Sequence, residues 1–416
     1  MLLLFFLNFL YFSHAVFIDK YRDYKDYKYY ELTGSREGLE NLRKFMLNVD
    51  ESLIHSESLN KSEIILSPHL VSLFREAVKK ENLKVKILHD DISEIIRLEK
   101  GNTRRRIKKF SWNSYYDVND IHQFILNTTK VNPEWTELIV AGQSYEGRKI
   151  LGLRINTPYE NGQRETGKPV FFIESGIHAR EWIAPATTTY FINQLLTSRD
   201  PDIRRLRDQF DWRIFPTVNP DGYHYSYNVD RYWRKTRSLS SNGCRGADPN
   251  RNWDYNWGQH SASSRPCDYQ LYAGSKPFSE IETRTLSKYI SSIDNLLFYV
   301  AFHSYASLLL LPYSDSVEHV DNYDDLVQIG KRSIEYGSRV NGEKYDGPGT
   351  AAETLYKASG GSMDWVRYAL KTPLVYTYEL RGSSFHWPPE KIPEQGDEVV
   401  QMMLGLADGA KELGYY

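Results

Sequence analysis

Three stretches of this chain are apolar at nearly every position and end on charged or titratable groups. They are "KPVFFIES" (168–175), "NLLFYVAFHSY" (295–305) and "TPLVYTYELRG" (372–382). A strand with one wet face alternates apolar and polar residues, so an unbroken run implies cover on both faces. That is the situation of a largely parallel sheet lined by helices. "DWRIFPTVN" (211–219) is a further strand, while "TELIVAG" (136–142) and "RKILGLRIN" (148–156) read as a hairpin. Helix candidates at 184–198, 277–293 and 323–340 separate the strands. The expected fold is α/β over 111–416, with a mixed, mostly parallel central sheet covered by helices.

The 416 residues are more than one small domain needs. Residues 16–100 are rich in charge and lack Trp. They offer a strand at 28–34, a helix at 35–47 and a helix followed by a strand within 70–89. This reads as a small α+β module, an antiparallel sheet plus helices. Between the two units, 101–110 holds the basic run "TRRRIKK" (103–109). A solvated linker is the plain reading; a site for trypsin-like cleavage is the sharper one, because exposed linkers are where proteolysis concentrates.

Residues 1–15, "MLLLFFLNFLYFSHA", carry a short apolar run closed by small residues before Val16, the pattern of a secretion signal. The run is too short for a membrane anchor, although no Lys or Arg precedes it. A formal charge of −2 gives no electrostatic reason to expect nucleic acid or a membrane surface as partner. The two cysteines, Cys244 and Cys267, are in a secreted chain most simply one disulfide, with two free buried thiols as the other reading. Asn60-Lys61-Ser62 and Asn127-Thr128-Thr129 fit the glycosylation pattern.

In open α/β sheets, sites gather at the carboxyl ends of strands. There this chain places His178, Arg180 and Glu181, then His303-Ser304-Tyr305, then Glu379 and Arg381. Two imidazoles and one carboxylate are the ligand set of a catalytic zinc with one position left open. A lone strand-end His is more often a hydrogen-bonded structural residue, so the conjunction carries the signal. Glu379 adds a carboxylate at another strand end, where a base beside a metal site would stand.

The motifs "SYEGR" (144–148), "GIHAREW" (176–182), "NPDGY" (219–223), "WRKTRS" (233–238), "DPNRNW" (248–253), "HSY" (303–305), "YKASGGSMDW" (356–365) and "YELR" (378–381) stand in order. With them the chain resembles the zinc carboxypeptidases of the pancreatic A/B type, which are secreted as pro-enzymes. The resemblance is strong over 111–416 and weaker over the preceding module. It implies one Zn2+ per catalytic domain on His178, Glu181 and His303, with Glu379 as general base and Arg234 stabilising the oxyanion. It implies that Asn250 and Arg251 hold the substrate's terminal carboxylate and that Tyr356 closes over it. Arg180 would meet the residue upstream of the scissile bond, Ser304 and Tyr305 would bind substrate, and Asp248 would fix the tautomer of His178. Cys244 and Cys267 match the family's disulfide.

At the position that separates A-type from B-type pockets this chain has Met363. By alignment the other pocket residues are Leu310, Ser314, Ala351, Ala358 and Thr377, none charged. An apolar or aromatic C-terminal residue is therefore expected, since a buried unpaired ammonium or guanidinium is costly. The implied partners are peptide or protein C-termini, the chain's own propeptide (16–100) as intramolecular inhibitor, and a trypsin-like activating protease. A secreted, extracellular monomer is expected, the digestive lumen being the family's commonest setting. A zinc amidase acting on small acylated amino acids and a non-catalytic peptide-binding relative are the alternatives.

Overall fold

A computed structural model describes residues 22–46, 53–58, 61–101, 110–158 and 166–416. The expected secretion signal (1–15), Asn60 and the basic run at 103–109 lie outside them.

The first unit is a four-stranded antiparallel sheet ordered β2-β3-β1-β4. Its strands are β1 (Lys28–Thr33), β2 (Leu53–Ser58), β3 (Lys61–Leu66) and β4 (Lys84–His89). Helices α1 (Arg36–Met46) and α2 (Val71–Lys80) cover one face, and α3 (Ile92–Glu99) follows β4. Alternation along the strands sorts the side chains. Tyr30, Leu32, Ile64 and Leu66 face the two helices, whereas Tyr29 and Ile65 join Ile92 and Ile96 against Tyr232 and Phe385 of the larger unit.

The second unit starts with α4 (Val118–Val131) and is built on an eight-stranded sheet ordered β11-β10-β12-β9-β7-β8-β6-β5. Its strands are β5 (Thr136–Gln143), β6 (Lys149–Ile155), β7 (Val170–Ser175), β8 (Asp211–Phe215), β9 (Leu296–Ser304), β10 (Leu308–Leu311), β11 (Asp346–Thr350) and β12 (Leu374–Leu380). The central strands β12, β9, β7 and β8 run parallel; β5, β6 and β10 pair antiparallel with their inner neighbours, and β11 is parallel to β10. The helices are α5 (Ile183–Thr197), α6 (Pro201–Gln209), α7 (Pro220–Asn228), α8 (Ile281–Ser291), α9 (Tyr323–Asn341), α10 (Ala351–Thr354), α11 (Ser362–Leu370) and α12 (Ile392–Glu412).

The unbroken apolar strands are buried on both faces, as expected. Phe171, Ile173, Phe298, Val300 and Phe302 pack under α5 and α12, while Phe172, Tyr299 and Ala301 pack under α8 and α11. Each buried Phe, Ile or Val among them stabilises the fold by roughly 1.5–3 kcal/mol. The strand expected over 211–219 stops earlier, at Phe215. Pro216 cannot donate to a sheet ladder, and Asn219 accepts from the Gly222 amide to cap α7, whose first residue is Pro220.

Candidate metal centre and substrate cleft

β7 ends at Ser175, and three residues later His178 turns into the space beyond the sheet, with Glu181 before α5. β9 carries His303, and β12 sets Glu379 directly beside it in parallel register. His178 Nδ1 lies 2.8 Å from Glu181 Oε1, His303 Nδ1 lies 3.2 Å from Glu181 Oε2, and the two Nδ1 atoms are 3.1 Å apart. All three residues are buried.

This donor set fits a small divalent cation. Ligands at about 2.0–2.2 Å in tetrahedral array stand roughly 3.3 Å from one another, close to these separations. The electrostatics agree. Burial and then Arg234 lower the His178 pKa; burial also acts against charge on His303, yet Glu181 holds its imidazole up at about 9. The Glu181 carboxyl is pushed up by burial but held well below its usual range by the two histidines. A metal ion would take the place of the proton that this cluster attracts.

The remaining polar groups surround this triad. Asp248, fully buried, is 3.2 Å from His178 Nε2 through Oδ1, and its Oδ2 accepts from Arg234 Nε (3.0 Å) and Nη2 (2.9 Å). Burial opposes its charge, but Arg234 and His178 keep it ionised well below the ordinary carboxylate pKa. One carboxylate thus orients both a ring and a guanidinium, a sharing that the sequence does not reveal. Glu379 lines the same cleft. Desolvation, opposed by His303 and aided by Glu181, pushes its carboxyl up to about 8.

Asn250 and Arg251 sit on the short turn after Asp248. The Asn250 backbone N–H donates to Asp248 Oδ1 (2.9 Å), and Arg251 donates to the carbonyls of Ser261 and Asn250 and to Tyr356 Oη at 3.3 Å. Tyr356 is 41% exposed at the mouth of the cleft. Gly360, which follows in the same loop, needs its φ of +71°, and a Cβ there would stand 2.4 Å from the Arg251 carbonyl. Arg180 is buried over the Phe385 ring at 4.5 Å, and its Nε and Nη1 meet no partner among the described residues.

These residues and the pocket positions line one cleft of about 590 Å³: His178, Arg234, Asn250, Met363 and Glu379 among others. Leu310, Ser314, Ala351, Ala358 and Thr377 line it too, so every expected site residue is brought to this place except Asp248, which stands behind the triad, and the cysteines. Cys244 and Cys267 form a disulfide. The Ser314 backbone N–H and hydroxyl both donate to Asp364, which commits that hydroxyl away from the pocket. Sequence reasoning missed Asp364, Phe385 and Glu63. The last belongs to β3 of the first unit and accepts from Tyr305 Oη at 2.5 Å, while Arg36, Leu39, Glu40, Arg43 and Ser62 of that unit complete the cleft wall.

A family profile described as "Zinc carboxypeptidase" matches residues 121–402. The chain belongs to the zinc carboxypeptidase family. Its members are metallocarboxypeptidases, zinc-dependent peptide hydrolases, and this chain is similar over 97% of its length to zinc carboxypeptidase A 1 of Anopheles gambiae, at 36% identity and with 93% of that protein covered. Its fold is similar to the crystal structure of thrombin activatable fibrinolysis inhibitor (TM-score 0.84, 25% identity, 92% of this chain and 98% of that one). It is also similar to that of carboxypeptidase A from Helicoverpa armigera (TM-score 0.81, 26% identity, 94% and 99%).

Proposed function

We propose that this zinc carboxypeptidase removes a single apolar or aromatic residue from peptide C-termini, and that His178, Glu181 and His303 hold its zinc. When bound, zinc acts as a Lewis acid that polarises the scissile carbonyl and lowers the pKa of water to about 7. Glu379 takes the proton of the attacking water and passes it to the leaving amine, so one carboxyl serves as base and then acid. Arg234, held by Asp248, donates to the oxygen that becomes negative as the carbonyl carbon turns tetrahedral. Asn250 and Arg251 bind the terminal carboxylate, and Tyr356 folds over it. Demanding that carboxylate limits the enzyme to one residue per cut. Arg180 holds the chain upstream, and Ser304 and Tyr305 bind substrate.

The observation that carries the preference is the uncharged pocket wall of Leu310, Ala351, Ala358, Met363 and Thr377. Asp364, the buried acid beside it, already accepts from Ser314, and burial pushes its carboxyl up to about 7. A basic terminal side chain would find no counter-ion, and an unpaired buried charge costs several kcal/mol.

The same reading makes residues 1–15 a secretion signal, 16–100 a propeptide and 101–110 the stretch a trypsin-like protease cuts. Support comes from the contacts of the first unit, whose Glu63 engages Tyr305 and whose Glu99 pairs with Arg231. No helix among the described residues is long and apolar enough to cross a membrane.

The test is a panel of peptides ending in Phe, Leu, Lys or Glu, and a Phe-amide control, given to zinc-loaded protein cut in the basic run. Release of free Phe and Leu one residue at a time, with the amide untouched, is expected. Release of Lys but not Phe overturns the pocket argument.

A further inference from the structure

Glu174 lies on β7, fully buried, and has no part in the chemistry above. Its Oε1 accepts from the Tyr299 hydroxyl at 2.6 Å and from the Ser362 hydroxyl at 3.0 Å. Its Oε2 has no partner among the described residues. Ser362 is the first residue of α11, 1% exposed, and its backbone N–H donates to Asn250 Oδ1 at 3.0 Å.

The last contact matters because a side-chain amide has two ends of nearly equal shape and opposite function. With Oδ1 toward the cleft, Asn250 would repel a carboxylate; with Nδ2 toward it, the residue offers two N–H donors. The Asn250 backbone is fixed by Asp248 and cannot choose between them, since either flip suits it. Ser362 N–H can only donate. It therefore accepts just one flip, with Oδ1 turned toward α11 and Nδ2 left for the cleft.

We infer that Ser362, anchored through its hydroxyl by Glu174, is a positioning residue that fixes the Asn250 amide with its donor end toward the substrate's terminal carboxylate. The inference rests on the reading of Asn250 as a carboxylate ligand. Glu174 keeps the first turn of α11 from rotating, so the N–H stays aimed.

Ser362→Pro removes the N–H at a helix position that tolerates proline. Gly361 before it has φ −84° and ψ 154°, the extended conformation that a following proline requires. The variant, tested in the zinc-loaded cut enzyme, is expected to keep its zinc, with a modestly lower thermal midpoint because the hydroxyl bonded to Glu174 is lost as well. Its KM for a Phe-terminated peptide should rise roughly 3–10-fold, the worth of one hydrogen bond, with kcat within about twofold. Glu174→Ala should raise KM in the same direction, and Glu174→Gln, which keeps the acceptor, should not. In an Asn250→Ala background Ser362→Pro should add nothing.

An equal KM rise in that background, or none in the wild-type background, overturns the inference. Should Ser362→Pro fail to fold, the Glu174→Ala and Glu174→Gln pair decides, equal KM values in the two contradicting it. If Asn250→Ala raises KM while Ser362→Pro and Glu174→Ala leave it unchanged, only the positioning role falls. An unchanged KM in Asn250→Ala removes the carboxylate reading itself, and the positioning role with it.

Discussion

Removing Glu99 should loosen the first unit's hold on the second. Glu99 and Arg231 are each 2% exposed and meet across the two units. Arg231 Nε donates to Glu99 Oε2 at 2.8 Å and Nη2 to Oε1 at 3.0 Å. The rest of the guanidinium donates to the carbonyls of Arg180 (2.7 Å) and Phe385 (2.9 Å), and it stacks 3.7 Å from the Trp182 ring. With so many fixed contacts Arg231 cannot swing to water when its carboxylate is lost. Glu99→Ala leaves a buried charge without its counter-ion, at a cost of about 3–5 kcal/mol. At 1.4 kcal/mol per tenfold, the cut chain's first unit should dissociate about 10²–10⁴-fold more readily. The concentration dependence of activity recovered after cleavage measures this directly.

The same pair predicts a pH window. Burial would raise the Glu99 carboxyl, but Arg231 and then His386 hold it at about 2, against an ordinary value of 4.5. Because the pKa is lowered on docking, the stabilisation is fully present above pH 4.5 and is lost as pH falls toward 2. The shift is worth about 3 kcal/mol, in line with the truncation cost. Affinity should therefore fall steadily below pH 4.5 in the wild type and hardly at all, on this account, in Glu99→Ala. A variant that binds within threefold of wild type, or a flat wild-type profile, would refute the reasoning.

Two further outcomes are expected. Chelation should abolish peptide cleavage and lower the thermal midpoint, and stoichiometric zinc should restore both, since ligand binding stabilises the folded state; activity persisting in metal-free protein would exclude the triad as a metal site. Met363→Asp places a carboxylate in the pocket wall and should shift kcat/KM from Phe-terminated toward Lys- or Arg-terminated peptides, by at least about tenfold in their ratio given the cost of an unpaired buried charge; an unchanged ratio would mean that Met363 does not set the preference.

Much of this site could be read from the chain because its key residues stand at the ends of unbroken apolar strands. The rule that such ends converge drew attention to His178, Glu181, His303 and Glu379, the family resemblance supplied their roles, and β9 and β12 bring the last two side by side. What escaped depends on packing between distant segments. Nothing in "SEIIL" marks Glu63 as the partner of Tyr305, and the shared duty of Asp248 appears only once Arg234 and His178 flank it. Helix α12 escaped for a local reason. It carries Gly396, Gly405 and Gly409, which sequence logic treats as helix-weakening. Gly405 is required by contact: a Cβ there would stand 2.8 Å from the Arg332 carbonyl of α9. Edge strand β11, "DGPGT", has almost no strand propensity and is held by its pairing with β10.

The central claim is that Glu379 moves the proton while His178, Glu181 and His303 hold the metal. Glu379→Gln keeps the shape of the side chain and removes its basicity. Zinc titration of the variant should return one ion per chain with wild-type affinity, while kcat on a Phe-terminated peptide falls by roughly 10²–10⁴-fold. Turnover within tenfold of wild type, with zinc bound, would contradict that assignment.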